Sequence, residues 1–284
     1  MQTSNQSDTR KGDGVMKRGW KIFWIIISAI AVIGISCCVI AGALGFSFYD
    51  LNISSGSTVV DLDDEDESLW MEGEDLLYFD EITNLELEID ACKLIIVIDN
   101  EDTVRVDASQ INRSGDKEAL KVKEKDGCLS VETADNWQEA GGTLKIYLPA
   151  GTVFNRVEVD ADASDVEING IASKIFLVNV DASSFVVRNM DVKQLEAELD
   201  AGSLQMDGMT NGTVKLDCEA GDLQLTLEED EKAFDYYIEC DMGDVRINGE
   251  EYGGFSTEHH VNHHADKVMQ IDCETGSVNV EFQK

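Results

Sequence analysis

The sequence predicts an all-β protein, a parallel β-solenoid (β-helix) of about 19-residue coils, preceded by one transmembrane α-helix. Three observations support this. An acidic residue followed by small residues returns at a fixed interval, in NVDASS, ELDAGS and DCEAGD. Inside each repeat apolar and polar residues alternate, as they do in strands with one buried side. A single uncharged apolar run near the N-terminus has the length of a membrane span.

The repeat is clearest when its acidic residue is numbered zero, because Asp162, Asp181, Asp200 and Glu219 then follow one another at intervals of 19 residues. Five other positions are apolar in every one of these repeats. They stand five, three and one residues before zero and four and six residues after it: Val157, Val159, Ala161, Val166 and Ile168; Phe176, Val178, Val180, Phe185 and Val187; Leu195, Ala197, Leu199, Leu204 and Met206; Val214, Leu216, Cys218, Leu223 and Leu225.

Three further copies, at Asp90, Asp241 and Glu274, carry the same apolar positions with longer insertions between them. One such unit cannot bury its apolar side alone, but stacked units merge these positions into a continuous core. Adjacent coils would then pair as parallel strands about 4.8 Å apart. We therefore expect Leu199 to lie beside both Val180 and Cys218. A meander folded into a sandwich is the alternative.

The chain divides into four predicted segments. Residues 1–21 are a basic cytoplasmic tail, and residues 22–46 are the transmembrane helix, because 25 uncharged residues cross a core of about 30 Å with some tilt. Residues 47–75 form an acidic juxtamembrane stalk. Residues 76–284 form the solenoid domain, in which 99–156 are irregular or inserted strands, with a hairpin turn at Asp126-Gly127.

The positions of the charges predict the orientation in the membrane. Basic residues precede the apolar run and acidic residues follow it, so the N-terminus is expected in the cytoplasm and the C-terminal domain outside the plasma membrane, on a single-pass anchor. A cleaved signal peptide ending near Ala41-Gly42-Ala43 is the alternative. Its apolar segment would exceed the usual ~7–15 residues, which favours the anchor.

Acidic residues dominate the sequence, with 57 Asp and Glu against 22 Lys and Arg and a formal net charge of −35. Such a surface repels phosphate backbones, which argues against nucleic acid as a partner. Cations and cationic peptides are favoured instead. Besides the membrane, the expected partners are a cationic peptide, a cell-wall component or a membrane regulatory protein.

The position-zero carboxylates are candidate metal ligands, since stacking would place them in a ladder. Charges about 5 Å apart repel by roughly 1 kcal/mol even in water, and Ca²⁺ accepts several carboxylate oxygens. Solvated side chains, or side chains that cap turn amides, are the alternative. The predicted calcium ladder consists of Asp162, Asp181, Asp200, Glu219 and Asp241, with Asp90 and Glu274 at the same position. No other cofactor is expected.

The histidines and cysteines give two further candidate sites. All four histidines, His259, His260, His263 and His264, lie in EHHVNHH, a surface loop by prediction, where a transition-metal site and an ordinary loop are both possible. The position one before zero holds cysteine in three coils: Cys218, Cys240 and Cys273. We expect these to be reduced core residues, with a disulfide between neighbouring coils as the alternative.

The order of the motifs resembles a known family. ITNLELEIDACKLIIVIDNEDTVRVDAS, DGCLSVET, LKIYLPAG and the repeated DAGSL, EAGDL, DMGDV and ETGSV are similar to those of bacterial membrane-anchored β-strand-repeat proteins, the LiaG-like "putative adhesins". The resemblance covers roughly residues 75–284. It implies an extracytoplasmic solenoid on one membrane helix, often connected with envelope stress, and supplies no catalytic residues. Relatives tend to carry Ser or Thr where this chain has acid at position zero.

The expected function is therefore a non-catalytic, adhesin-like binding or scaffolding module at the cell envelope. An envelope-stress sensor that acts through a membrane partner is the alternative. No nucleophile elbow, phosphate-binding loop, zinc-protease or kinase motif occurs in the sequence. An enzyme that acts on glycans is the weakest candidate. Such enzymes use paired carboxylates, but any coil of this solenoid would present such a pair, so the pairs are not specific evidence for catalysis.

Overall fold

The computed structural model describes residues 75–111, 120–133 and 141–283, together with the backbone of 69–70. The predicted cytoplasmic tail, the predicted membrane helix at 22–46 and nearly all of the predicted stalk lie outside the described residues. Within the described ranges, no helix has the length and apolar character needed to cross a membrane.

The described residues are all-β, with one short 3-10 helix at Glu231–Ala233. Their strands are β1 Leu69–Trp70, β2 Leu76–Phe79, β3 Asn84–Asp90, β4 Lys93–Asp99, β5 Val104–Ile111, β6 Leu120–Lys125, β7 Cys128–Thr133, β8 Gly142–Pro149, β9 Phe154–Asp162, β10 Asp165–Asp181, β11 Ser183–Leu199, β12 Gly202–Cys218, β13 Asp222–Leu227, β14 Phe234–Cys240, β15 Asp244–Ile247, β16 Glu250–Glu251, β17 Thr257–Val261, β18 Lys267–Cys273 and β19 Ser277–Phe282.

The strands form two rows, which we call side A and side B. Side A holds the strand segments that lead into position zero, in the spatial order β1, β6, β7, β3, β9, the second halves of β10, β11 and β12, β18, β14 and β17. Side B holds the segments that follow position zero, in the order β2, β5, β8, β4, the first halves of β10, β11 and β12, β13, β19, β15 and β16.

The predicted stacking of the 19-residue coils is confirmed. Strands β10, β11 and β12 pair in parallel, and Leu199 lies in register with Val180 on one side and Cys218 on the other. The apolar positions of the repeat point inward and merge into one core, in which Phe176, Phe185 and Leu199 are fully buried. Burial of this alternating pattern is the main force that holds the coils in register.

The order of the last two coils differs from the order in the chain. Consecutive coils were expected to be neighbours, which is wrong here: β18 and β19 lie between the β12–β13 coil and the β14–β15 coil. The outer edge of β14 pairs with the antiparallel strand β17, so its inner edge is left for β18. Both coils carry the same apolar pattern, and the pattern therefore could not distinguish the two orders.

Residues 99–156, predicted as irregular or inserted strands, contain β5 to β8 and the start of β9. The hairpin at Asp126-Gly127 is confirmed: it joins the antiparallel strands β6 and β7, and its two residues have φ of 52° and 74°. Strands β7 and β8 add a parallel coil outside β3 and β4. Antiparallel strands then cover both ends of the stack, β6 and β5 at one end and β17 and β16 at the other, which protects edges that would otherwise template further pairing.

A pair of charged side chains completes the corner where the long strands stop. A carboxylate oxygen of Glu229 accepts a hydrogen bond from the backbone amide of Thr210 at 2.9 Å, and the ammonium of Lys267 donates to the Thr210 carbonyl at 2.7 Å. Lys267 also donates to the other oxygen of Glu229 at 2.8 Å. The two side chains therefore satisfy the backbone groups that a further strand would have paired, as buried peptide groups require.

Candidate binding face

The position-zero carboxylates form one column along the corner where side A ends. We call it the first carboxylate column. Its backbone ladder is continuous: the backbone amide of Glu219 donates to the Leu199 carbonyl at 2.9 Å, and the backbone amide of Glu274 donates to the Cys218 carbonyl at 2.9 Å. The spatial order of the column is Asp90, Asp162, Asp181, Asp200, Glu219, Glu274 and Asp241. Glu219 and Asp241, adjacent in the predicted ladder, are separated by Glu274.

A second carboxylate column runs beside the first, two residues earlier on each strand and therefore on the same outward side. Its members are in register from β7 to β17: Glu132, Glu88, Asp160, Asn179, Glu198, Asp217, Asp272, Glu239 and Glu258. All but Asn179 are acidic. Together the two columns make the outer side of A acidic from β7 to β17, with neighbouring charges about 4.8 Å apart. The next position in the row, on β6, holds Lys121, whose ammonium pairs with Glu132 at 2.7 Å.

Sequence reasoning missed this second column, although part of its signal was present. Seven of its residues occupy one repeat position, between the apolar positions three and one residues before zero. Glu132 and Glu258 belong to strands outside the repeat, and only the pairing of β7 with β3 and of β17 with β14 reveals them.

The two columns enclose a groove of about 440 Å³ near the middle of side A, which we call the acidic groove. Its lining is dominated by carboxylates from four adjacent coils, and the amide of Asn179 donates a hydrogen bond to Asp160. The carboxylates that line it are Glu88, Asp90, Asp160, Asp162, Asp181, Glu198 and Asp200.

Burial and the crowding of like charges raise several carboxyl pKa values on this face. The pKa of Glu219 is raised, first by the charge of Asp200 and then by that of Glu274. Burial raises the pKa of Asp272, and the charges of Asp217 and Glu239 raise it further. Burial likewise raises the pKa of Asp160, against the hydrogen bond from Asn179. The ionised face therefore carries repulsion that a bound cation would relieve.

A second groove of about 530 Å³ lies near the end of side A formed by β18, β14 and β17, and we call it the aromatic groove. Its floor carries the ring of Tyr237, which is 46% exposed and stacks on His260 with 4.3 Å between ring centroids and 15° between ring planes. The groove is also lined by Lys215 and by four acidic side chains of the second column: Asp217, Asp272, Glu239 and Glu258. An exposed aromatic face beside carboxylates favours cationic groups.

The structure separates the four histidines. His259 and His260 lie on strand β17 rather than in the predicted loop, and they contact Tyr252 and Tyr237 respectively. The His263 Nδ1 lies 2.8 Å from the Phe234 carbonyl oxygen and donates to it, and His264 is exposed. Adjacent side chains on a strand point to opposite sides of the sheet. Because the segment is not a helix, the i, i+4 spacing does not bring pairs of these histidines together on one helical face.

Within the described ranges, no three acidic, histidine or cysteine side chains converge closely enough to hold a metal ion. The carboxylate columns could bind hard cations only by using one or two oxygens from each coil together with water. Calcium binding along the first column, like metal binding by the histidines, stays a prediction.

The profile of one protein family matches residues 82–284, which span the solenoid from just before β3 to the C-terminus. The chain belongs to the Toastrack DUF4097 family. No curated protein is detectably similar to it in sequence.

Solved structures similar to this Toastrack chain include two bacterial proteins. One is described as a "putative cell adhesion protein" from Clostridium sporogenes, with 14% identity, a TM-score of 0.37, and coverage of 73% of this chain and 98% of that one. The other is described as a "putative adhesin" from Bacteroides fragilis, with 10% identity, a TM-score of 0.28, and coverage of 73% and 97%.

Proposed function

We propose that this Toastrack domain is a non-catalytic binding module of the cell envelope, and that its acidic side A binds a cationic peptide segment. The observation that carries the proposal is the register of the two carboxylate columns, which repeat charge at the spacing of the coils from β7 to β17. An extended cationic chain could contact several coils at once. The summed field of such a face also attracts cations from a distance and speeds their association.

The two grooves on side A are the proposed contact sites for the cationic groups of the peptide. The acidic groove offers seven carboxylates in about 440 Å³, which suits several ammonium or guanidinium groups. The aromatic groove adds the Tyr237–His260 stack, on which a guanidinium or ammonium group can lie flat. The ammonium of Lys215 is already held by Glu196 at 2.6 Å, and this contact shows the kind of ion pair that the face makes.

The proposal also includes the setting predicted from the sequence. A single membrane span at 22–46 would hold the domain at the outer surface of the plasma membrane, where cationic peptides and wall components are accessible. Support for this part comes from the sequence alone, through the apolar run and the charge asymmetry around it.

The test is a comparison of two triple variants of the full-length protein with equal net charge. Asp160→Asn, Asp181→Asn and Asp200→Asn together remove three of the seven charges that line the acidic groove. Three exposed acids away from it are neutralised in the control: Glu228→Gln, Glu250→Gln and Glu281→Gln. The probe is a fluorescent oligolysine peptide, and affinity is measured by anisotropy at several salt concentrations.

The groove variant is expected to bind the peptide about tenfold or more weakly, since each lost ion pair contributes up to about 1 kcal/mol. The control is expected to keep nearly the affinity of the unchanged protein. Equal loss in both variants would show that only net charge matters, and the proposed site would then be wrong.

A further inference from the structure

Three cysteines form one continuous row inside the stack, in the spatial order Cys218, Cys273, Cys240. Strand β18 lies between β12 and β14, so Cys273 is in register with Cys218 on one side and with Cys240 on the other. All three are fully buried free thiols. The same position in the other repeats holds aliphatic residues: Ile89, Ala161, Val180 and Leu199.

The three sulfur atoms lie together under the turn that follows position zero. The Cys273 sulfur is 3.4 Å from the Gly276 carbonyl oxygen, and the Cys218 sulfur is 3.8 Å from that of Gly221. A Cβ at Gly276 would come within 2.4 Å of the Cys218 sulfur, and one at Gly243 within 2.4 Å of the Cys273 sulfur. The thiols of Cys218 and Cys273 therefore use space that a glycine in the neighbouring coil leaves open.

We propose that these three thiols are an oxidation site, at which a hydroperoxide drives Cys273 into a disulfide with either Cys218 or Cys240. Facing residues on adjacent parallel strands have Cα atoms about 4.8 Å apart, inside the ~4.4–6.8 Å range of disulfides. Cys218 and Cys240 are two strands apart, at roughly 9.6 Å, which is too far. Cys273 is thus a member of every disulfide that the row can form.

The reaction begins at Cys218. The neighbouring Cys273 thiol lowers the pKa of Cys218, and the same contact, together with burial, raises the pKa of Cys273. The Cys218 thiolate attacks one peroxide oxygen, the O–O bond breaks, and the products are a sulfenic acid and, after proton uptake, water. The Cys273 sulfur then attacks the sulfenic sulfur, the S–O bond breaks, and a second water leaves with the Cys273 proton. Two thiols and one hydrogen peroxide give one disulfide and two waters.

The remaining thiol, Cys240, lies beside Cys273 and can attack its sulfur, which moves the disulfide to the other pair by thiol–disulfide exchange. Side chains that stack in a straight row are about 4.8 Å apart, and a disulfide requires Cβ atoms nearer ~3.8 Å. Closing the bond therefore draws two strands together and strains them, and strained disulfides are more easily reduced. The modification is accordingly reversible, and it would tie the inserted strand β18 to a neighbour.

In the experiment, the reduced full-length protein is treated with hydrogen peroxide and its remaining thiols are blocked. Disulfide-linked peptides are then identified by mass spectrometry without reduction. Trypsin cleaves after Lys215, Lys232, Arg246 and Lys267, so each of the three cysteines falls on a different peptide. We expect Cys273 peptides linked to those of Cys218 or Cys240, a loss of two titratable thiols, and full recovery with dithiothreitol.

The decisive variant is Cys273→Val, which copies the residue at Val180 and therefore fits the repeat. It is expected to abolish every intramolecular link and to keep a melting temperature close to that of the unchanged protein. Cys128→Ser, in which a half-exposed thiol far from the row is removed, is expected to keep both links. A Cys218–Cys240 link, links that persist in Cys273→Val, or three thiols that stay unmodified or become sulfonic acids without linking would overturn the proposal.

Discussion

Glu219 and Glu274 are neighbours on adjacent coils, although the copy of the repeat at Asp241 comes between them in the chain. The backbone amide and the hydroxyl of Thr275 both donate to the Glu219 carbonyl, at 2.9 and 2.7 Å. The charge of Glu274, after that of Asp200, raises the pKa of Glu219. The carboxylate column is therefore continuous although the order of the coils in the chain is not, and the charges of these three neighbouring coils interact.

This crowding predicts an unusual dependence of stability on pH. A carboxyl whose pKa is higher in the folded than in the unfolded state stabilises the fold when protonated. That contribution is complete below the unfolded pKa, 3.8 for Asp160 and Asp272 and 4.5 for Glu219, and is lost as the pH rises through the higher folded pKa. We expect the melting temperature, measured by calorimetry, to rise as the pH is lowered from 7 towards these unfolded pKa values.

Asp235 has the opposite effect on the pH dependence of stability, because hydrogen bonds from the backbone amides of Ala265 and His263 lower its pKa. Its stabilising contribution is present at neutral pH and is lost only as the pH falls through the lowered pKa. Asp272→Asn is expected to raise the melting temperature at neutral pH and to flatten the slope. Glu281→Gln, an exposed acid on side B, is the matched control. A melting temperature that falls steadily from pH 7 downward would contradict the prediction.

The calcium hypothesis leads to a second prediction on the same face. Millimolar Ca²⁺ should raise the melting temperature of the full-length protein by roughly 2–4 °C for each kcal/mol of binding free energy. NaCl at equal ionic strength is the control, since it screens the charges without bridging them. Asp181→Asn combined with Asp200→Asn should reduce the shift. Identical melts in Ca²⁺ and NaCl would show that screening alone acts on the columns.

The sequence was sufficient to predict the coils and the first carboxylate column, because both depend on a strict repeat of residue types. The place of the last coil could not be predicted in this way. Met269, Ile271 and Cys273 match the apolar positions of every other repeat, so the pattern fits any place in the stack. The antiparallel pairing of β17 with β14 decides the order, and this contact depends on an insertion without a repeat.

The same limit applies to the candidate site. The polar position that gives Glu198 and Asp217 was visible in the repeat, but Glu258 and the Tyr237–His260 stack depend on β17. The histidines were expected in a surface loop because EHHVNHH lies in the insertion between the last two copies of the repeat. Pairing with β14 places His259 and His260 on strand β17, so here a tertiary contact overrides the local sequence preference.

The Glu229–Lys267 pair provides a third prediction, on stability. Their side chains are only 10% and 22% exposed, so Lys267→Met leaves a carboxylate and the Thr210 carbonyl without their cation. We expect the free energy of unfolding, from denaturant titration, to fall by about 3 kcal/mol. Lys215→Met removes the more exposed pair with Glu196, at 47% and 39%, and should cost at most about 1 kcal/mol. Similar losses in both variants would mean that the buried pair has no special role.

Close packing of β12 against β11 provides the fourth prediction. Gly208 has φ of 144°, and a Cβ there would lie 2.1 Å from the carbonyl oxygen of Met190 on the neighbouring coil. Gly151 also has positive φ, 78°, but a Cβ would meet nothing within 4 Å. Gly151→Ala therefore adds backbone strain alone, about 1–2 kcal/mol. Gly208→Ala adds a backbone clash between coils as well, and should lower the free energy of unfolding by about 3 kcal/mol or more.

Denaturant titration of both glycine variants under one set of conditions measures this difference. The clash can be relieved only if β11 and β12 move apart, which would break the register between Met190 and Gly208. Hydrogen exchange should accordingly rise in these two strands for Gly208→Ala and stay unchanged for Gly151→Ala. Equal losses of stability, with unchanged exchange in β11 and β12, would show that the coils are not packed against each other as closely as the stacked architecture requires.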